Sequence, residues 1–547
     1  MKIKLLYISL FGFIAVFYLA AIRYMAIVDN DFMAIYLTWL VEIGSRSGIH
    51  FTFDSYSLMF ELISPLITQI GGELNVVYIF RLINALMLIV ISLQLYLLMT
   101  VYVEKYVALC SIAILLLTTV MYTRGIDIRP DIFVLLIWLQ IILMMCKEES
   151  LANCDRMFIV GFLYGMGFLF KAKALIITVP MLILFYGGCI HSGMNLSVAI
   201  RALLSLLLGC FVALAIFFLK ANINGMDEIY SAGFTLISHS FNNDDEAGLK
   251  SVVLFNAIKA DFGYWLFFIF GCYLVVRNYA RYHTRQLLLF MAVVSLIILS
   301  VVINPHYYAY NLVSLYALML LISAVYIKIP LDKSFFSSRK VRIISGLAIT
   351  SYLMIKSFVG LVEVSKYTID HQLSLNQFIE ENLHGYRNVY TNGEISRITG
   401  PNVHWVAYRD GYKTNNIWRD IKSRKPILII IDYKFMHELK GEDRVNLFEH
   451  YTYLTPQILT PGFGTESEVK GKLLLSGRYR LTNSENEVCK LNGTLYSPNS
   501  VIRLKRGVHL LQSFGGKCTL KYYFNEKSVN ELIRSNPNML PYLLDAN

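Results

Sequence analysis

Apolar residues run together over most of the first two thirds of the chain, broken by short polar loops, and only the last third mixes polar and apolar positions as a globular unit does. The first run, Leu5 to Ile22, follows Lys2 and Lys4 and lacks the small-residue cleavage site of a removable signal, so it reads as a retained first helix. Further runs, each near the roughly 20 residues that cross hydrocarbon, lie at about 76–100, 106–122, 131–146, 157–170, 174–190, 200–219, 260–276, 286–303, 309–327 and 343–361. The expected fold class is a polytopic α-helical membrane protein of about eleven spans, residues 1–361, carrying an α/β plus β soluble domain, residues 362–547.

Composition agrees with that division. Hydrophobic residues make up 56% and charged residues 16% of 547, against roughly 25% charged in an average soluble domain, which excludes a soluble enzyme. The net charge of +11 is spread over loops, so it is a topology signal and not a nucleic-acid footprint. Lys105, Lys147, Arg156, Arg201, Arg277, Arg281, Arg285, Lys328, Lys333, Arg339, Lys340 and Arg342 join Lys2 and Lys4 in one set of alternate loops. Excess Lys and Arg mark the cytoplasmic side, which puts the N-terminus in the cytoplasm and, after an odd number of crossings, the tail outside it. A plasma membrane with an extracytoplasmic tail is the expected setting, and the short loops suit the inner membrane of a bacterium, where that tail would be periplasmic.

Six of the eight cysteines lie in or beside the spans, where they suit small buried hydrophobes. Cys489 and Cys518 are alone in the tail, where one disulfide and simple burial are both open. Within the tail, LSLNQFIEENL has helical spacing, KPILIIIDY reads as a buried strand, and short strands separated by Asn, Gly and Ser turns follow from Gly477.

Four polar features interrupt the apolar pattern, all on the outer side of the expected topology. The loop 23–75 is too apolar to hang free; AIYLTWLVEI, with Trp39, and YSLMFELISPLITQI, broken at Pro65, suit two helices lying along the outer leaflet. Asp29 and Asp31 in VDNDF precede them, either as solvated and capping residues or as a general base or metal ligand. In TRGIDIRPDIF, Asp131 opens an apolar run beside Arg124, Asp127 and Arg129, where it favours the helix N-terminus or serves a site. FLFKAKALIITVP places Lys171 and Lys173 between two runs, where they either snorkel to the interface or hold an anionic phosphate. NPHYYAYNL sets His306, Tyr307, Tyr308 and Tyr310 before another run, as an aromatic belt or as phosphate contacts.

With these motifs together, the chain resembles the GT-C superfamily of membrane glycosyltransferases, which includes protein O-mannosyltransferases, the lipid A aminoarabinose transferase and related enzymes using polyprenyl-phosphate sugars. The resemblance covers about residues 1–361. Asp31, Phe32 and Trp39 are similar to the family's first external loop, and FDSYSLMFELISPL resembles its second juxtamembrane helix, which suggests substrate contacts for Glu61 and Tyr56. RPDIF resembles the second acidic motif, so Asp131 is the matching residue; FLFKAKAL is similar to the donor-phosphate segment, which carries that role to Lys171 first and Lys173 second; NPHYYAYNL resembles the late motif beside the lipid phosphate, where His306 and Tyr308 stand.

The resemblance implies transfer of a sugar from a polyprenyl-phosphate donor to a glycan, lipid A or protein acceptor at the outer membrane face, with inversion. Asp31 or Asp29 would take the acceptor proton, and Lys171, Arg129 or a divalent metal would stabilise the departing phosphate. No nucleotide cofactor is needed, and no Gly-rich nucleotide loop occurs at a suitable strand-to-helix turn. The rivals are an O-antigen polymerase or ligase, against which the large tail argues, and a lipid-linked glycan transporter, against which polar groups at span ends instead of midpoints argue.

Overall fold

The computed structural model describes residues 2–25, 73–127, 129–146, 151–221, 247–302, 311–326, 351–362, 417–431, 441–455 and 458–525, with short pieces around 38–65, 375–390, 407–408, 439 and 527–530. Among the described residues each expected span overlaps a helix: α1 Lys2–Tyr24, α2 Glu73–Thr100, α3 Lys105–Leu116, α4 Thr119–Arg124, α5 Asp131–Met145, α6 Cys154–Phe170, α7 Thr178–Ser192, α8 Leu196–Ala221, α9 Ala247–Ala260, α10 Phe262–Arg277, α11 Thr284–Val302, α12 Leu312–Tyr326 and α13 Ser351–Val362. By length and composition, four stretches among the described residues are long and apolar enough to cross a membrane unaided: Val77–Thr100, Lys173–Ser192, Leu196–Ile216 and Thr284–Val302. The bent pair α9–α10 makes up to one more, and shorter apolar helices accompany them.

Two differences from the sequence expectation share one cause. The run 106–122 is divided at Leu117–Thr118, and α10 is preceded by α9 at a bend of 99°. Both breaks meet at Asp261. Its Oδ1 accepts from the Thr119 N–H and hydroxyl, each at 3.1 Å, and from Lys356 Nζ of α13 at 2.9 Å. Ser357 adds a 2.6 Å bond to the Leu117 carbonyl. Side-chain donors and acceptors thus replace the ladder that the breaks interrupt, which a low-dielectric bundle requires. Tyr264 and Trp265 of α10 bond the backbone and the hydroxyl of Tyr316 on α12, at 2.6 and 3.1 Å.

Between α6 and α8 small residues set the approach. A Cβ on Gly161 would lie 1.8 Å from the Leu206 carbonyl, and one on Gly209 would lie 2.0 Å from that of Phe158. Side-chain-free positions here let backbones touch, the usual basis of helix association where lipid competes equally for apolar surface. On α2 the buried polar residues are partnered: Arg81 donates to the Met25 carbonyl at 2.8 Å, covering an acceptor left open beyond the end of α1, and Gln94 donates to Gln140 at 2.9 Å.

The tail holds the expected α/β and β parts. Strands β2 Val389–Tyr390 and β4 Leu428–Ile430 pair in parallel, and β4 pairs antiparallel with β6 Ile458–Thr465, so the KPILIIIDY segment is the buried strand its composition suggests. Helices α14 Ile417–Arg424 and α15 Glu442–His450 cover this layer through Trp418, Ile421 and Leu447. His450 packs on Trp418 with ring centres 5.0 Å apart, and burial holds its pKa below the ordinary histidine value.

Beyond it, β7 Glu468–Leu473, β9 Cys489–Leu491, β10 Thr494–Tyr496 and β12 Gly507–Ser513 form a four-stranded sheet in the order β10-β9-β12-β7. Strands β8 Gly477–Asn483, β11 Ser500–Leu504 and β13 Cys518–Tyr522 extend the first sheet through β6, in the order β11-β8-β13-β6-β4-β2, with β5 Tyr451–Thr455 also pairing β6. The β9–β10 hairpin turns on Asn492 and Gly493, both at positive φ (51° and 87°), as a two-residue turn of matching twist demands. The two sheets sandwich Phe463, Tyr479, Leu481, Leu491, Leu511 and Leu520. A short pair, β1 Phe51–Thr52 with β3 Ala407–Tyr408, ties the loop after α1 to the tail.

Cys489 and Cys518 form a disulfide that joins the two sheets across this core, closing a sequence separation of 29. A loop of that size removes about 3–4 kcal/mol of denatured-state freedom. In the Cys489→Ser/Cys518→Ser variant, the slowest-exchanging sandwich amides are expected to exchange roughly 100-fold faster or more, read by hydrogen exchange of the intact protein. Unchanged protection would mean that the bridge adds nothing to the packed core.

Candidate functional site

Asp131 stands in the first turn of α5, and its carboxylate is met not by backbone amides but by two lysines from the end of α6. Lys171 Nζ lies 3.0 Å from Oδ2, and Lys173 Nζ bonds Oδ1. Residues two apart on a helix point to different sides, so the pair converges only because the helix stops. α6 ends at Phe170, Lys171 is extended (φ −164°, ψ 132°), and Ala172–Ile177 form a 3-10 turn before α7. Trp138, fully buried on α5, donates to the Ala174 carbonyl at 3.1 Å and pins that turn. Phe133 and Phe170 stack at 5.0 Å beside it.

Lys173 makes a third contact, donating to Asn311 Oδ1 at 2.7 Å. Asn311 sits just ahead of α12 and is buried. It ends the NPHYYAYN motif, and its signal in the sequence is an amide at the edge of an apolar run, beside more conspicuous aromatic residues. Arg129, two residues before Asp131, is buried and within electrostatic reach of its carboxylate. Next to these, Arg124 pairs with Asp127 at 3.3 Å, and the Asp127 carbonyl accepts from Asn84.

The lysines therefore do not snorkel. Their side chains are 20% and 14% exposed and are spent on a carboxylate that is 5% exposed. Two ammonium groups and a guanidinium near one carboxylate make a cluster of net positive charge, which attracts anions. The same arrangement does not fit a divalent metal. The one carboxylate is already matched by cations, and among the described residues no three His, Cys, Asp or Glu side chains converge.

Of the residues singled out in the sequence, the structure brings together Asp131, Lys171, Lys173 and Arg129, and adds Asn311 and Trp138. Asp29, Asp31, Trp39, Tyr56, Glu61, His306 and Tyr308 lie outside the described residues. So, for the most part, do the two helices expected along the outer leaflet in loop 23–75.

Residues 55–221, which contain the four charged groups, match the family model described as dolichyl-phosphate-mannose-protein mannosyltransferase. No curated protein matches the chain. Among solved structures it is similar to the oligosaccharyltransferase of Archaeoglobus fulgidus. The apo form has 11% identity and a TM-score of 0.48, over 91% of this chain and 76% of that one. The complex with Zn and sulfate has 13% identity and a TM-score of 0.46, over 90% and 75%. Superpositions that loose establish no residue correspondence, and the family match is the finding that counts. That segment, a little under a third of the chain, is thus similar to a family of membrane mannosyltransferases.

Proposed function

We propose that the protein transfers a sugar from a polyprenyl-phosphate donor to a glycan, lipid or protein acceptor at the outer face of a plasma membrane, with Lys171, Lys173 and Arg129 holding the donor phosphate. The observation that supports this reading is the convergence of two ammonium groups on the single buried carboxylate of Asp131 at a helix break. The outward placing of that end, with a cytoplasmic N-terminus and an external tail, follows from the distribution of Lys and Arg among the loops.

A sugar on polyprenyl phosphate is a phosphodiester with one negative charge. As the acceptor oxygen attacks the anomeric carbon from the opposite face, the carbon–phosphate oxygen bond breaks and polyprenyl phosphate leaves with a second charge. Cations beside that oxygen bind the transition state more strongly than the donor, which is the condition for raising kcat. Asp131 keeps the lysines in place between turnovers and tempers their charge; with both oxygens occupied it orders the cations. The acceptor proton goes to Asp31 or Asp29, and the anomeric centre inverts.

Replacing Lys173 with Met is expected to remove one charge-assisted bond, worth about 1.5–3 kcal/mol, a loss of about 10- to 150-fold in kcat/KM, most of it in kcat. The direct test incubates purified protein with a panel of polyprenyl-phosphate sugars and measures release of polyprenyl phosphate. No release from any donor in the presence of membrane-extract acceptors would overturn the reading, and unchanged kinetics in Lys173→Met and Lys171→Met would overturn the phosphate assignment.

A further inference from the structure

The tail carries a charged feature that the transfer reaction does not use. Residues 458–525 contain ten Lys and Arg against four Asp and Glu, and the strand register gathers several of these cations on one face. Arg478 on β8 stands opposite Arg503 on β11, and Arg480 on β8 stands opposite Lys521 on β13. The alternate residues Tyr479, Leu481 and Leu520 point the other way, into the sandwich core, so the cations share the outward face. Lys505 continues that alternation beyond the end of β11 and is exposed. No outward position of these three strands is acidic.

Like charges directly opposite one another destabilise a sheet, and here they occur twice on neighbouring strands. The guanidinium carbons of Arg478 and Arg480 both lie over the Tyr523 ring, 5.2 and 5.1 Å from its centre, which restrains two long side chains that would otherwise splay apart. We propose that this face, Arg478, Arg480, Arg503, Lys505 and Lys521 around Tyr523, is a docking surface for the anionic phospholipid headgroups of the bilayer in which the helices sit.

Charge complementarity and shape favour a lipid surface. Strands about 4.8 Å apart with outward residues about 7 Å apart along each make a flat grid of cations, which suits many phosphates in a plane better than one ligand in a pocket. The ring that could have stacked on a sugar is occupied by the two arginines. The tether is also short: Phe524, next to Tyr523, belongs to the same continuous apolar cluster as Leu361 of α13, so this sheet is held close to the membrane helices. Burial, and then nearby Lys517, pull the Lys521 pKa below its ordinary value, and a facing phosphate would reverse that.

Lysine footprinting of the full chain in nanodiscs tests the surface without a substrate. A neutral acylating reagent reads Lys505 and Lys521 on this face against exposed Lys470 and Lys472 on the opposite sheet. With about one third of the lipid anionic, labelling of Lys505 and Lys521 is expected to slow by about fivefold relative to zwitterionic discs. Lys470 and Lys472 should be unchanged, and about 0.5 M salt should erase the difference. Arg478→Glu/Arg503→Glu should restore fast labelling, with Arg478→Gln/Arg503→Gln as the milder variant if the first does not fold. Equal rates in the two discs, equal slowing on both sheet faces, or slow labelling in both discs, as when another segment of the chain covers the face, would each overturn the proposal. So would the same slowing produced by inorganic phosphate in zwitterionic discs.

Discussion

Replacing Asp131 with Asn is expected to reduce sugar transfer by at least about 100-fold, the scale seen when a preorganised electrostatic element is removed, and to lower the melting temperature of the purified protein. The carboxylate is the meeting point of Lys171 and Lys173. Without it, two ammonium groups from residues two apart in sequence face each other at the end of a helix bundle, and breaking a buried pair from one side costs about 3–5 kcal/mol because the surviving charge has no partner. The lysines would swing apart toward solvent, and the phosphate position between them would be lost. A second variant separates stability from chemistry. In Asp131→Asn/Lys173→Met one of the stranded charges is gone, so melting temperature should recover toward the parent while transfer stays low. If Asp131→Asn kept full transfer, the carboxylate would be only a helix-start residue and the lysines would owe it nothing. If the double variant regained activity with stability, the lysine would have no part in holding the donor.

The apolar runs made the helices legible because a bilayer forces continuous hydrophobicity on any segment that crosses it, and each run overlaps a helix among the described residues. What the runs concealed were the breaks. AGLKSVVLFNAIKA, helical as α9, carries two lysines and lies ahead of the expected run at 260–276; Asp261 then ends it by bonding to Thr119 and Lys356, partners more than ninety residues away. The Lys171 break is similar. FLFKAKAL shows two lysines between apolar stretches, but only the extended residue and the 3-10 turn that Trp138 secures reveal why both face one acid. The role of Asn311 depends on α12 lying beside the turn, a contact across 138 residues that no local pattern displays. In the tail the strand from KPILIIIDY and the Asn-Gly hairpin were readable locally, whereas the order of the sheets depends on long-range register. The disulfide was an even alternative in the sequence, and it forms because β9 and β13 face each other across the sandwich.

Asp31→Asn should cost about 10²- to 10⁴-fold in kcat, the range for loss of a positioned general base, while membrane insertion and donor binding stay intact. In the sequence the acid stands six residues beyond Met25, whose carbonyl Arg81 holds at 2.8 Å. A carboxylate there must be ionised to accept the proton of an acceptor hydroxyl, so the parent rate should fall toward acid pH. In Asp31→Asn that acid limb should disappear along with most of the rate, because an amide has no proton to gain in this range. Asp29→Asn is the matched control: the same charge is removed two residues away, and if Asp31 is the base, Asp29→Asn should retain the acid limb and most of the activity. The reverse outcome would move the role to Asp29. Parent-like rates and an intact acid limb in both variants would remove the VDNDF acids from the reaction and leave the Lys171–Lys173 cluster as a proposed donor contact whose base lies elsewhere.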